Sequence, residues 1–117
     1  MIHAASIKRT LSFALCSTLL ITPNFSHAGD MEVGAAKGVM IAGILNEKCT
    51  GQKPRPNETQ RQFQALLDQG FSEADIKRGF LEGMIYAEGN YPGTKKPPRS
   101  ECREAIKMHK QALQLIR

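Results

Sequence analysis

The clearest helix boundary in the chain lies in residues 70–84, which read GFSEADIKRGFLEGM. Gly70 is the residue type expected directly after a helix, and Ser72 is a favoured N-cap for the helix that follows. Asp75 stands three residues beyond Ser72, which is the spacing of a capping box. The stretch therefore predicts that one helix ends at Gly70 and that another begins at about Glu73.

The helix that begins there is expected to extend to about Glu88. Phe71 and Ile76 occupy the two positions of a hydrophobic staple at its start. Its expected core stripe consists of Ile76, Phe80, Leu81, Met84 and Ala87. Gly79 and Gly83, one turn apart, form a ridge that another helix can approach closely. We expect this ridge to pack against the first or the fourth helix.

The first helix is predicted from about Met31 to Asn46, where apolar residues recur at helical spacing. Gly34 and Gly38 repeat the one-turn spacing of the later glycine pair. In a membrane this spacing favours helix dimerisation, but here we interpret it as tight packing within a bundle. Packing between two chains, which would give a homodimer, is the alternative for both pairs.

Two further helices complete the predicted architecture. One is expected to begin after Asn57, with Gln60 at the capping-box position, and the other after Ser100, with Glu101 in its first turn. The expected inward face of the last helix consists of Cys102, Ala105, Ile106, His109, Ala112, Leu113 and Ile116. No strand or hairpin pattern competes. The sequence predicts an all-α fold, a compact bundle of about four helices.

Residues 1–28 have the features of a secretory signal peptide. Basic residues precede an apolar run, Leu11 to Ile21, that is too short to span a bilayer comfortably. Ser26-His27-Ala28 then provides small residues for cleavage. We expect residues 29–117 to form a single helical domain, periplasmic or secreted, without a membrane span after cleavage. An uncleaved membrane anchor is the alternative.

The charge of the expected mature domain is modest. Cleavage would remove two basic residues and no acidic one, which lowers the net charge from +5 to +3. This balance is mildly basic and does not require a nucleic-acid partner. The length that remains suffices for one small domain with one core.

The cysteines of the mature domain predict one disulfide. Cys16 falls within the signal peptide, which leaves Cys49 and Cys102, 53 residues apart. A pair of cysteines in a small exported domain is typical of a structural bridge, and neither a CxxC spacing nor a neighbouring histidine favours a metal or redox site. A bridge across that separation stabilises by roughly 4 kcal/mol in the chain-entropy model. It would join the end of the first helix to the start of the fourth.

The mature domain offers few groups for catalysis. Its single histidine, His109, lies between Met108 and Lys110 on a helix face, and we interpret it as a packing residue. Ser72 and Ser100 are accounted for as helix caps. No metal-ligand spacing or phosphate-binding loop is present in the sequence. The sequence therefore predicts a protein that is not an enzyme and binds no metal or cofactor. A pocket around His109 would be expected if it were an enzyme.

Positive charge is concentrated near the C-terminus. Residues 90–117 contain seven basic and two acidic residues, and the predicted disulfide would bring a second basic loop toward them. The predicted partner-binding residues are Lys53, Arg55, Tyr91, Lys95, Lys96 and Arg99. They form either a solvated basic rim or a docking surface for an acidic protein or an anionic envelope component. Tyr91 is either a contact residue of that surface or packed into the core.

The stretch Gly79-Phe80-Leu81-Glu82-Gly83-Met84, followed by Pro97-Pro98 and Cys102, resembles a pattern in the Rap/Tai-type periplasmic immunity proteins of type VI secretion. The chain departs from that pattern at Lys95-Lys96. The resemblance implies a protein that binds and neutralises a toxin delivered into the periplasm. A looser similarity, in size and design only, to acid-stress chaperones of the HdeA type implies a periplasmic chaperone as the alternative.

Overall fold

The computed structural model describes residues 27–116, which form a bundle of four α-helices. The helices are α1 (His27–Thr50), α2 (Glu58–Asp68), α3 (Glu73–Asn90) and α4 (Arg99–Leu113), followed by a 3₁₀ turn (Gln114–Ile116). No strand occurs in this part of the chain, and the predicted all-α bundle is confirmed. Apart from its last two positions, the predicted signal peptide lies outside the described residues and stays a prediction.

The long helix α1 is the centre of the bundle. It packs most extensively against α3 and next against α4, while α2 contacts α3 and the 3₁₀ turn. One core cluster joins the first three helices and consists of Ala36, Leu66, Phe71, Ile76 and Phe80. A smaller cluster of Leu45, Ala87 and Ala105 joins α1, α3 and α4. None of the four helices is both long and apolar enough to cross a membrane.

The contact between α1 and α3 is a glycine seam formed by Gly79 and Gly83. A Cβ atom on Gly79 would lie 2.6 Å from the Cβ of Ala36 and 2.9 Å from the backbone nitrogen of Lys37. A Cβ on Gly83 would lie 2.9 Å from the backbone oxygen of Lys37 and 2.9 Å from the Cβ of Met40. Separations this short are not tolerated, so only glycine permits the approach. The predicted packing of this ridge is confirmed, and its partner is α1.

The other glycine pair, Gly34 and Gly38, does not form such a seam, and the prediction of tight packing there is wrong. A Cβ on Gly34 would have no neighbour within 4 Å, and one on Gly38 would meet only the Cε of Met108, at 3.7 Å. Both glycines border an open groove of about 540 Å³ between α1 and the end of α4. At the opposite end the two helices are held together.

The bond that holds that end is the predicted disulfide, which is confirmed. It joins Cys49 in the last turn of α1 to Cys102 in the first turn of α4, with 5.7 Å between the Cα atoms. The helix α1 is longer than predicted and ends at Thr50, which places Cys49 within the helix.

The boundary between α2 and α3 follows the sequence. The backbone N–H of Asp75 donates to the Oγ of Ser72 at 3.2 Å, and Gly70 has a φ of 97°. A positive φ of this kind favours glycine and ends α2 sharply. Phe71 and Ile76, the predicted staple residues, are both buried in the same core cluster.

The other two predicted caps are wrong. Asn57 precedes α2 in a left-handed conformation and makes no side-chain cap; instead Glu58 Oε1 accepts from the backbone N–H of Arg55 at 3.3 Å. Helix α4 starts one residue before Ser100, which places that serine inside the first turn, and Pro98 precedes the helix. In neither case does a capping side chain set the first residue of the helix. Contacts of Glu58 set the start of α2, and Pro98 sets the start of α4.

Candidate functional site

The disulfide end of the bundle is held by a second link besides the bridge. The Nζ of Lys48 in α1 donates to the backbone oxygen of Gly93 at 2.5 Å and also lies 3.4 Å from a carboxylate oxygen of Glu88. The link ties the loop of residues 91–98 to α1. The basic residues of this loop are therefore carried on an anchored segment.

Tyr91 starts this loop and serves as a further anchor. Its half-buried ring packs against the cluster of Leu45, Ala87 and Ala105. Tyr91 is thus packed into the core, which is one of the two placements that the sequence left open. Its hydroxyl donates to the carboxylate of Glu101, and this hydrogen bond raises the pKa of Tyr91 to about 12. Whether Tyr91 also contacts a partner stays a prediction.

The five predicted contact cations are all exposed. Lys53 and Arg55 lie in the loop after α1, Lys95 and Lys96 lie in the loop before α4, and Arg99 is the first residue of α4. None of the ion pairs within residues 27–116 involves any of them. Their charges are therefore not neutralised by this part of the molecule and are directed at solvent.

The structure separates these cations into two groups. Lys53 and Arg55 line a cleft of about 230 Å³ together with Lys110 of α4. Neither Lys95 nor Lys96 lines it. Lys110 lies eight residues beyond Cys102, about 12 Å further along the helix. The loop after α1 thus runs along α4 and away from the disulfide.

A stripe of basic residues on α4 connects the two groups, and the interpretation of the sequence missed it. The stripe consists of Arg99, Arg103, Lys107 and Lys110, all exposed and spaced by three or four residues. Such spacing places side chains on one face of a helix, and it was visible in the sequence. Only the course of the loop that places Lys53 and Arg55 beside Lys110 required the structure. We call Lys53, Arg55, Lys95, Lys96 and the α4 stripe the basic face.

The cleft beside the basic face contains a buried pair, Glu58 and His109. Glu58 Oε2 lies 3.6 Å from His109 Nε2, and the two residues are 7% and 8% exposed. Within residues 27–116, His109 Nδ1 has no hydrogen-bond partner, and it faces Gly43 of α1. His109 is buried, as expected of a packing residue, but it also lines the cleft. The pocket expected around it in an enzyme is therefore present, and the role of His109 stays a prediction. The pair connects the first turn of α2 to α4, which fixes the loop that carries Lys53 and Arg55.

The outer side of α3 presents apolar residues to solvent. Leu81, Met84 and Ile85 are 57%, 48% and 64% exposed. The assignment of Leu81 and Met84 to the core is therefore wrong. At 100° per residue, the glycine seam lies on the opposite side of the helix from Leu81, and the packing of the seam on α1 turns the apolar residues outward.

Two further findings complete the description of possible sites. Among residues 27–116 no group of three or more histidine, cysteine, aspartate or glutamate residues is placed to hold a metal ion. Comparison of the chain with protein-family models, with curated proteins and with solved structures finds no match. The resemblance to Rap/Tai-type immunity proteins accordingly stays an expectation from sequence.

Proposed function

We propose that this chain is an exported, non-catalytic protein that binds an acidic partner protein and occludes it, as a periplasmic immunity protein does. The observation that supports this proposal is the basic face, whose charges form no ion pair within residues 27–116. Uncompensated charge of one sign attracts and orients a partner of the opposite sign, and it raises the rate of association.

The anchoring of the basic face favours a stoichiometric inhibitor over a transient contact. The disulfide holds the start of α4, Lys48 holds the loop of residues 91–98, and the Glu58–His109 pair holds the other loop. A surface ordered before binding loses little entropy when the complex forms. Such a surface suits a tight complex with one partner.

A protein partner fits this surface better than a nucleic acid does. Proteins that bind single strands combine cations with aromatic rings on which bases stack. Neither tyrosine of the chain supplies a free ring to the basic face, since Tyr91 packs in the core and Tyr86 lies on α3 beside Lys37, whose Nζ is 5.8 Å from the ring centre. The basic face thus offers charge without a stacking platform.

The test compares two double variants with the same loss of charge. The oxidised protein is used to capture its partner from envelope extract, and affinity for the purified partner is then measured by calorimetry at several salt concentrations. We expect Lys107→Gln/Lys110→Gln to weaken binding by about tenfold or more and to reduce its salt dependence. Lys37→Gln/Arg78→Gln, on α1 and α3, is the matched control and should bind like the unaltered protein.

Equal losses in the two double variants would show that net charge acts without a defined surface, and would contradict the basic face as the binding site. Binding that is independent of salt would contradict it as well. A partner without an acidic surface would remove the basis of the proposal.

The second candidate is an acid-stress chaperone, which the buried Glu58–His109 pair favours. This pair joins the first turn of α2 to α4, so conditions that break it would release that turn from the bundle. Helix α2 would loosen and expose apolar residues such as Phe63 and Leu66.

This candidate predicts that an apolar dye binds the protein near pH 3 and that clients are kept from aggregating there. A protein whose dye binding is the same at pH 3 and pH 7 would not be such a chaperone.

A further inference from the structure

The outer face of α3 combines an apolar patch with charges of opposite sign at its two ends. Leu81, Met84 and Ile85 form the patch and are the most exposed large apolar residues near one another on this helix. Lys77 precedes the patch by one turn and Glu88 follows it by one turn, and both are exposed. These five residues lie on one side of the helix at a spacing of three and four.

No helix of the described bundle covers this face, because α3 packs on α1 through its opposite side. The glycine seam fixes the rotation of α3, so the patch cannot turn inward without breaking the seam. Clusters of exposed apolar residues with a charged rim are typical of protein–protein contacts.

We propose that the outer face of α3 is the interface of a homodimer in which the α3 helices of two copies pack antiparallel. A two-fold axis between Glu82 and Gly83 places Leu81 of one copy against Met84 of the second. The same axis places Lys77 of each copy against Glu88 of the other. The face is therefore complementary to itself in its apolar residues and in charge, as a two-fold interface requires.

The charge order selects this arrangement over a parallel one. In a parallel pair Lys77 would face Lys77 and Glu88 would face Glu88, which is repulsive. The present partners of these side chains do not compete strongly. Lys77 pairs with the exposed Glu73 at 2.7 Å, and exposed pairs of this kind contribute little. Glu88 lies 3.4 Å from Lys48, whose ammonium keeps its hydrogen bond to the backbone oxygen of Gly93 when Glu88 turns to the second copy.

Dimerisation through α3 leaves the basic face free. Helices α3 and α4 each pack mainly on α1 and hardly on each other. A dimer would therefore present two copies of the basic face, whatever that face binds.

The first test is sedimentation equilibrium of the oxidised protein over a wide concentration range. We expect a reversible monomer–dimer equilibrium that Ile85→Asp weakens by at least about tenfold, since each copy would then bury a carboxylate in the interface. Ile85 is exposed, so the fold should persist, and circular dichroism checks this. Tyr86→Ser, which removes an exposed ring outside the patch, is the control and should dimerise normally.

The second test reverses the charges at the ends of the patch. Lys77→Glu alone and Glu88→Lys alone should each weaken the dimer about two- to tenfold, and the combined variant should restore it. A protein that is monomeric at every concentration, or a dimer indifferent to Ile85→Asp, would overturn the proposal. Failure of the combined variant to restore association would overturn the antiparallel arrangement.

Discussion

Helix α1 meets its two main neighbours in opposite ways. Against α3 it packs backbone to backbone, with the glycine seam of Gly79 and Gly83 pressed on residues 33–40. Against α4 it is held by a covalent bond at one end and opens into a groove at the other, where Gly34 and Gly38 lie. The two glycine pairs have the same spacing in sequence, and only one of them brings helices together.

The difference lies in the residues that stand opposite each pair. Gly79 faces Ala36, a small residue on a helix that can come close. Gly38 faces the end of the Met108 side chain, which keeps α4 at a distance. A one-turn pair of glycines therefore permits close packing and does not cause it, and the facing helix decides.

The largest expected effect is the loss of the covalent contact. Cys49→Ala/Cys102→Ala should lower the free energy of unfolding by roughly 4 kcal/mol, because the unfolded chain gains the freedom of a 53-residue loop. Urea denaturation measures this loss. Hydrogen exchange should speed up more in α4 than in α3, which is still held by the seam. Equal loss of protection in both helices would contradict the distinction between the two contacts.

The next effect is a methyl group placed in the glycine seam. Gly79→Ala should destabilise by about 3 kcal/mol, since its Cβ would lie within 3 Å of both Ala36 and the backbone of Lys37. Thermal unfolding compared with Gly83→Ala, whose nearest neighbours are 2.9 Å away, checks the order of the two losses. A neutral Gly79→Ala would mean that α1 and α3 can separate without cost.

A smaller effect, of opposite sign, is expected at the other glycine pair, Gly34 and Gly38. Gly34→Ala should stabilise by about 0.5–1 kcal/mol, because alanine favours the helix and the added Cβ meets nothing within 4 Å. Gly38→Ala should behave similarly, with one ordinary contact to Met108. The denaturation midpoints of Gly34→Ala, Gly38→Ala and Gly79→Ala, measured under the same conditions, compare the two glycine pairs. Destabilisation by Gly34→Ala would mean that another part of the protein packs there.

The smallest effect is confined to alkaline solution and concerns Tyr91, which packs where α1, α3 and α4 meet. Its pKa is raised from 10.0 to about 12, first by the hydrogen bond to Glu101. The hydrogen bond between Tyr91 and Glu101 therefore contributes its full stabilisation below about pH 10, and this contribution is lost as the pH rises through about 12. Phenolate absorbance should show this late titration. Glu101→Gln should shift it to lower pH, and an unshifted titration would contradict the bond.

Local signals in the sequence predicted those features that depend on neighbouring residues. The boundary at Gly70 and Ser72 was correct because a positive φ and a capping hydroxyl need no distant partner. The disulfide was predicted by elimination, with Cys16 assigned to the expected signal peptide, and the pairing is correct. The caps at Asn57 and Ser100 failed because other contacts and Pro98 set those helix starts.

Features that depend on which side of a helix faces inward were predicted less well. Leu81 and Met84 satisfy the periodicity of a core stripe, but the seam on α1 turns them outward. For the candidate site, the cations of the loops were identified, whereas the stripe that connects them through Arg103 and Lys107 was missed. The spacing of the stripe could have been recognised in the sequence, whereas the path of the loop beside it required the structure.

The prolines of the exposed loops protect these loops from proteases that cleave after basic residues. Lys53, Arg55 and Lys96 are each followed directly by proline. Enzymes that cut after basic residues cleave poorly before proline, whose ring fixes the backbone and removes the N–H. Lys95 is the one basic residue of these two loops without such a neighbour. A cut there would still leave both fragments joined through Cys49 and Cys102, so the severed molecule would separate only under reduction.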